Sequence, residues 1–147
     1  MPFNRNWQTR IKAVELEHRA MHHAAERYRK AVAGDPSLLP AGLLPRDVIR
    51  SCDTLESTYL PRLFAEFETG GRQFWATRRS THPKTADLLE GLAAMRSVSR
   101  EDLQEAHSVR LYRNSLVHER DERTESVPLA AARGILCRFF SALPKTW

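Results

Sequence analysis

The chain has 147 residues, a formal net charge of +5, 41% hydrophobic residues and 28% charged ones, the balance of a globular protein built on one core. No run approaches the roughly 18 to 20 apolar residues of a membrane helix. The opening MPFNRNWQTR holds no apolar segment of the secretory kind, and two cysteines are too few for a disulfide scaffold. The expectation is a cytoplasmic chain forming a single domain, residues 1–147, with no membrane contact.

The basic residues are mostly arginine, with lysine only at Lys12, Lys30, Lys84 and Lys145. An arginine-rich surface suits nucleic acid, because guanidinium grips phosphate at two points and stacks on bases. A GC-rich genome produces the same bias, so charge alone selects no function.

Helical periodicity dominates, and no Asn-Gly or Asp-Gly hairpin turn occurs. The first helix is expected from about Asn4 to Ala33, ending at Gly34-Asp35-Pro36. Its core stripe reads Trp7, Ile11, Val14, His18, Met21, Ala25, Tyr28 and Val32. After the link PSLLPAGLLP, a second helix opens near Pro45, with Val48, Ile49, Cys52, Leu55 and Tyr59 on one side. Pro61 either kinks it or opens a second segment, and Gly70-Gly71 bends the chain again before Phe74 and Trp75. A third helix, about Lys84 to Met95, buries Leu88, Leu89, Leu92 and Met95. A fourth runs from Ser99, with Asp102 three residues on, to about Glu119. A charged loop follows, ERDERTES, and a fifth helix spans Pro128 to Leu143. The fold class is therefore all-α, an antiparallel bundle of four to five helices.

Chemistry concentrates on the fourth helix. His107, Arg110, Asn114 and His118 fall at i, i+3, i+7 and i+11, one continuous stripe, with Arg113 about 100° round from Asn114. Val109, Tyr112 and Leu116 lie opposite and supply an apolar face. Two imidazoles, two guanidiniums and an amide form an unusual surface. Solvated faces more often mix Glu, Lys and Gln. A plainer account also exists, since cations near a helix C-terminus are favoured by the helix dipole.

The segment RNSLVH, Arg113 to His118, resembles the signature of the HEPN superfamily (higher eukaryotes and prokaryotes nucleotide-binding domains). That signature is Arg, a polar residue that is often Asn, then His after four to six residues. The family is all-α and carries the motif late in the chain, on the penultimate helix. The resemblance implies a HEPN-like bundle and metal-independent RNA cleavage with no cofactor. Arg113, Asn114 and His118 would be the catalytic residues, and Arg110, His107 and Arg120 would contact RNA. It also implies a homodimer whose motifs face each other, and an antitoxin protein as partner where the role is that of a toxin in a toxin–antitoxin or phage-defence system. HEPN toxins paired with a nucleotidyltransferase often carry tyrosine two residues after the histidine; Arg120 stands there instead. The rival expectations are an RNA- or nucleotide-binding HEPN module that does not cut, and a helical adaptor in a larger complex.

Other candidates have plainer roles. His18 and His22 stand four apart, a metal-compatible spacing, but no third ligand is evident. Phe64, Phe67, Phe74 and Trp75 have the character of base-stacking platforms, yet their near-helical spacing favours a core or an interface. Cys52 and Cys137 read as small buried apolar residues.

Overall fold

Proline in the first turn, apolar residues three and four apart, and dense packing on both sides of Pro61 make α2 one unbroken helix, Pro45–Arg78. The computed structural model describes residues 3–118 and 124–147. Among them the α-helices are α1 (Phe3–Gly34), α2, α3 (Thr85–Arg96), α4 (Arg100–Val117) and α5 (Leu129–Ser141). A short 3-10 turn, Pro36–Leu38, links α1 to α2, and none of the described residues forms a strand. The all-α expectation holds.

α1 and α2 form an antiparallel hairpin, each about 50 Å long at 1.5 Å per residue. Residue numbers rise on one helix as they fall on the other: Arg10 pairs with Glu66 at 2.8 Å, Glu17 with Arg62 at 2.9 Å, and His18 meets the Tyr59 ring at 5.6 Å. α5 runs antiparallel to α1, tied by Glu15–Arg133 at 2.6 Å. α4 runs antiparallel to α5, with Arg138 reaching Glu105 at 2.5 Å and Asp102 at 3.5 Å. Most of these pairs are exposed and contribute little beyond register.

The core is a single cluster. Phe64, Phe67, Phe74, Phe139 and Phe140 are essentially inaccessible, with Phe67 edge-on to Phe139 at 5.5 Å between ring centres. Each such side chain stabilises by about 1.5–3 kcal/mol on burial. Leu88, Leu89 and Leu92 close the cluster from α3 as expected, and Met95 packs partly against it.

One alternative at Pro61 fails: it opens no second segment, and α2 runs on through it with Leu60, Leu63 and Phe64 fully buried around it. The helix also continues through Gly70 and Gly71. They are buried contact points: a methyl group at Gly70 would lie 2.7 Å from the Phe140 ring and 2.8 Å from that of Trp7, and one at Gly71 would lie 3.2 Å from Leu92.

The α1 stripe holds only in part. Trp7, Ile11, Val14 and Val32 are buried, whereas Met21 and Tyr28 are 49% and 38% exposed. Beyond His18, α1 runs beside the N-terminal half of α2, and Leu38, Leu43, Leu44 and Ile49 of this stretch are also exposed. Val32 and Val48 are buried there, but neither joins the main cluster. Two helices cannot cover both of each other's faces. Cys52 and Cys137 are half-buried free thiols; burial pushes both thiols up from their ordinary value.

Gly70→Ala is expected to lower stability by about 1–2 kcal/mol, the overpacking cost outweighing the gain in helix propensity. Gly134→Ala, where nothing lies within 4 Å of the added methyl, should raise it by about 0.5–1 kcal/mol. Urea unfolding of both variants checks the contrast.

Burial holds the His18 imidazole below its ordinary value of 6.5, and the nearby Glu56 carboxylate only partly offsets this. The unfolded chain therefore takes up the proton more readily than the folded one. The resulting stability is complete above about pH 6.5 and is lost as pH falls through the lower folded value. Unfolding free energy should drop between pH 7 and pH 5, and His18→Gln should flatten that slope.

Candidate functional site

The site is built by a tight reversal between α3 and α4. Ser97 takes the left-handed conformation (φ 53, ψ 42), and the Val98 N–H donates to the Ala93 carbonyl at 3.0 Å. Ser99 then caps α4, its side-chain oxygen accepting the Asp102 N–H at 3.1 Å. The cap expected at Ser99 is present. The reversal lays α4 antiparallel beside α3 and sets His107 opposite Glu90.

α4 buries Ala106 and Val109 completely. Tyr112 and Leu116 pack partly against the same core, as does Leu103. Arg113 follows Val109 by four residues and Ala106 by seven, so it stands on the buried side of the helix. Its guanidinium carbon lies 5.7 Å from the centre of the Phe64 ring. The Nε atom is sealed from solvent and has no hydrogen-bond partner. Nη1 donates to Asn114 Oδ1 at 3.0 Å. Arg113 forms no ion pair with any described residue. A partly buried cation without an anion among the described residues is unfavourable, and the guanidinium over the Phe64 ring supplies a compensating cation–π contact.

That bond fixes the Asn114 amide. Arginine only donates, so the oxygen must face Arg113 and the NH2 group is left to donate elsewhere. His118 is the residue that ends the helix. Its backbone is extended (φ −113, ψ 121), its N–H donates to the Asn114 carbonyl at 2.9 Å, and its side chain is exposed. The helix thus stops just before the histidine expected to continue the stripe, and the ring projects from the bundle's end without a bond to a described residue. Arg120 lies outside the described residues.

Upstream, the half-buried His107 bridges two helices. Its Nε2 is 2.9 Å from Glu90 Oε1, and Arg110 Nε donates to its Nδ1 at 3.2 Å. His107 and Arg110 are therefore joined to each other. Sequence periodicity gave no sign of Glu90, because the contact crosses from α3. Glu56 was equally hidden: its Oε1 accepts the Leu129 N–H at 2.9 Å and caps the first turn of α5. Burial, and then the Glu56 charge, push the Tyr112 phenol up from its ordinary value.

Phe64, Phe67 and Phe74 belong to the core and offer no face to a base. Trp75 is half-buried, and its Nε1 donates to the Thr81 carbonyl at 3.1 Å. Among the described residues, no group of three or more His, Cys, Asp or Glu side chains is suited to a metal ion, and no helix is long and apolar enough to cross a membrane.

Neither a protein-family model, nor a curated protein, nor a solved structure matches this chain.

Arg113→Met keeps an apolar side chain beside Phe64 and removes a cation that has no anionic partner among the described residues. Its unfolding free energy should stay within about 1 kcal/mol of wild type or rise. A loss of several kcal/mol in urea unfolding would make the guanidinium a structural strut.

Proposed function

We propose that the chain is a metal-independent endoribonuclease of HEPN type. The observation that carries this reading is Arg113: a half-buried guanidinium with no described anionic partner, tied to Asn114, one turn before an exposed histidine. A guanidinium with no anionic partner among the described residues is suited to receive a phosphate, which is both anionic and bidentate.

The reaction needs little more than these groups. Arg113 and the Asn114 NH2 bind the non-bridging oxygens of one phosphodiester and offset the charge that grows on them. His118, whose imidazole can accept and donate a proton, takes the proton from the ribose 2′-hydroxyl. The 2′-oxygen bonds to phosphorus as the bond to the 5′-oxygen breaks. The products are a 2′,3′-cyclic phosphate and a 5′-hydroxyl, the leaving oxygen taking a proton from a second acid. In a homodimer with the α4 ends facing each other, the same histidine of the other copy is that acid. The setting that accompanies this reading is cytoplasmic, in a toxin–antitoxin or phage-defence system with an antitoxin protein as partner. That part rests on family analogy.

A second reading, an RNA- or nucleotide-binding module that does not cut, is favoured by one observation. Within one chain, the His118 ring meets no described acid or base, so a monomer has only half of a proton-transfer pair.

With chelator present, wild type should cut RNA and leave cyclic-phosphate ends. His118→Ala should cut at least about 100-fold more slowly, with unchanged thermal unfolding because the side chain is exposed. Cleavage near the wild-type rate in that variant would end this mechanism. RNA binding without product from wild type would favour the second reading.

A further inference from the structure

Glu90, His107 and Arg110 form a chain whose direction chemistry fixes. Arginine is a cation that only donates. Arg110 Nε donates to His107 Nδ1 at 3.2 Å, so Nδ1 must carry a lone pair. The imidazole proton therefore resides on Nε2, and Nε2–H donates to Glu90 Oε1 at 2.9 Å. The ring is neutral in this arrangement, and Glu90 selects its tautomer. The His107 side chain is 19% exposed and that of Glu90 62%. The chain thus runs from the surface of α3 into the seam with α4.

Its far end is the useful one. With Nε engaged, the two terminal nitrogens of Arg110 bond to no described residue. Arg110 stands about one turn before Asn114 on the same side of α4, about 6 Å along the axis. Asn114 has turned its oxygen to Arg113 and leaves its NH2 outward. This side of α4 therefore offers only donors: the Arg110 fork and the Asn114 amide.

We propose that Glu90 is a positioning residue that acts through His107 to hold the Arg110 fork as a second phosphate anchor, one helical turn before the Arg113–Asn114 pair. His107 then does not touch RNA but orients a residue that does. The ligand is the neighbouring phosphodiester of a single RNA strand. This inference rests on the reading of the Arg113–His118 segment as an RNA site, and its test measures binding without cleavage.

The probe is a fluorescent 2′-O-methyl oligoribonucleotide, which cannot undergo 2′-oxygen attack, titrated by anisotropy against wild type, Glu90→Ala and Glu90→Gln. Removing a carboxylate from a surface strengthens polyanion binding if only net charge matters, and does so equally in both variants. Positioning gives a different pattern. Glu90→Ala should bind roughly three- to tenfold more weakly. Glu90→Gln should bind as wild type or slightly tighter, because an amide oxygen still accepts the Nε2–H. Imidazole nitrogen NMR should place the His107 proton on Nε2 in wild type and Glu90→Gln, and lose that preference in Glu90→Ala. Equal or tighter binding by Glu90→Ala, or an unaltered His107 spectrum in it, would overturn the proposal even where wild type cuts RNA. Wild type that binds the probe yet cuts no RNA would overturn the nuclease reading and leave the anchor standing, provided the variant pattern holds. Wild type that does not bind the probe would overturn the anchor.

Discussion

Every other α-helix leans on α2, and close approach makes that possible. At Gly70 and Gly71 the helix has no side chain, so Trp7 and Phe140 press against its backbone at one point and Leu92 at the next. α1, α3 and α5 are thereby drawn to one level of the bundle. Phe67 and Phe64, about one and two turns earlier, extend the seam, with Phe67 edge-on to Phe139. Phe64 is also the surface on which Arg113 rests. The Arg113 end of α4 is thus positioned by a packing surface that begins at two glycines, and a change there reaches the candidate site through close-packed neighbours.

The site combines one unfavourable feature with several ordinary ones. Ser99 capping α4 and Glu56 capping α5 complete helix ends that need a partner. Arg113 is the exception. Most arginines in this chain that contact a described carboxylate do so at the surface, as Arg10, Arg62 and Arg138 do. Arg113 instead stands on the core side of its helix with a sealed, unbonded Nε. Sites that hold a charge ready for a ligand bear such a cost before the ligand arrives. The contrast with Arg138, whose fork is already filled by Glu105 and Asp102, separates a cation that serves the bundle from one that is left over.

Much of the fold was legible because it is written locally. The 3.6-residue period gave the helices, Ser99 with Asp102 gave a start, and Gly34-Asp35-Pro36 gave a stop. The misreadings share one cause: proline, glycine and apolar periodicity are local signals, and packing decides what they mean. Pro61 reads as the possible start of a second segment, whereas the helix runs on through it among fully buried neighbours. Gly70-Gly71 reads as a bend, and its role as a contact for Trp7 and Phe140 is not visible in the sequence. Met21 and Tyr28 share a face with Val14 and Val32, but periodicity does not reveal that the neighbouring helices stop short of them. The stripe on α4 was visible in its spacing. Glu90, which completes the His107 contact from α3, was not, because no pattern within one helix reports a partner on the next. The burial of Arg113 was available in principle from its spacing to Ala106 and Val109.

The uncovered half of the α1–α2 hairpin has a consequence for how the molecule loses its structure. Most of the core cluster sits at the end where α3, α4 and α5 converge, whereas the stretch from about residue 19 to 53 buries Val32 and Val48 and leaves Met21, Tyr28, Leu38, Leu43, Leu44 and Ile49 open to water. Little apolar area is lost when that stretch frays, so it opens at a lower free energy than the bundle does. Folding cooperativity is therefore graded along the two longest helices. Their turn end is expected to exchange its amide protons through partial opening, and their bundle end through global unfolding. Arg113 lies over Phe64, a fully buried member of the main cluster, so this part of the candidate site is anchored in the bundle and not in the open stretch of the hairpin.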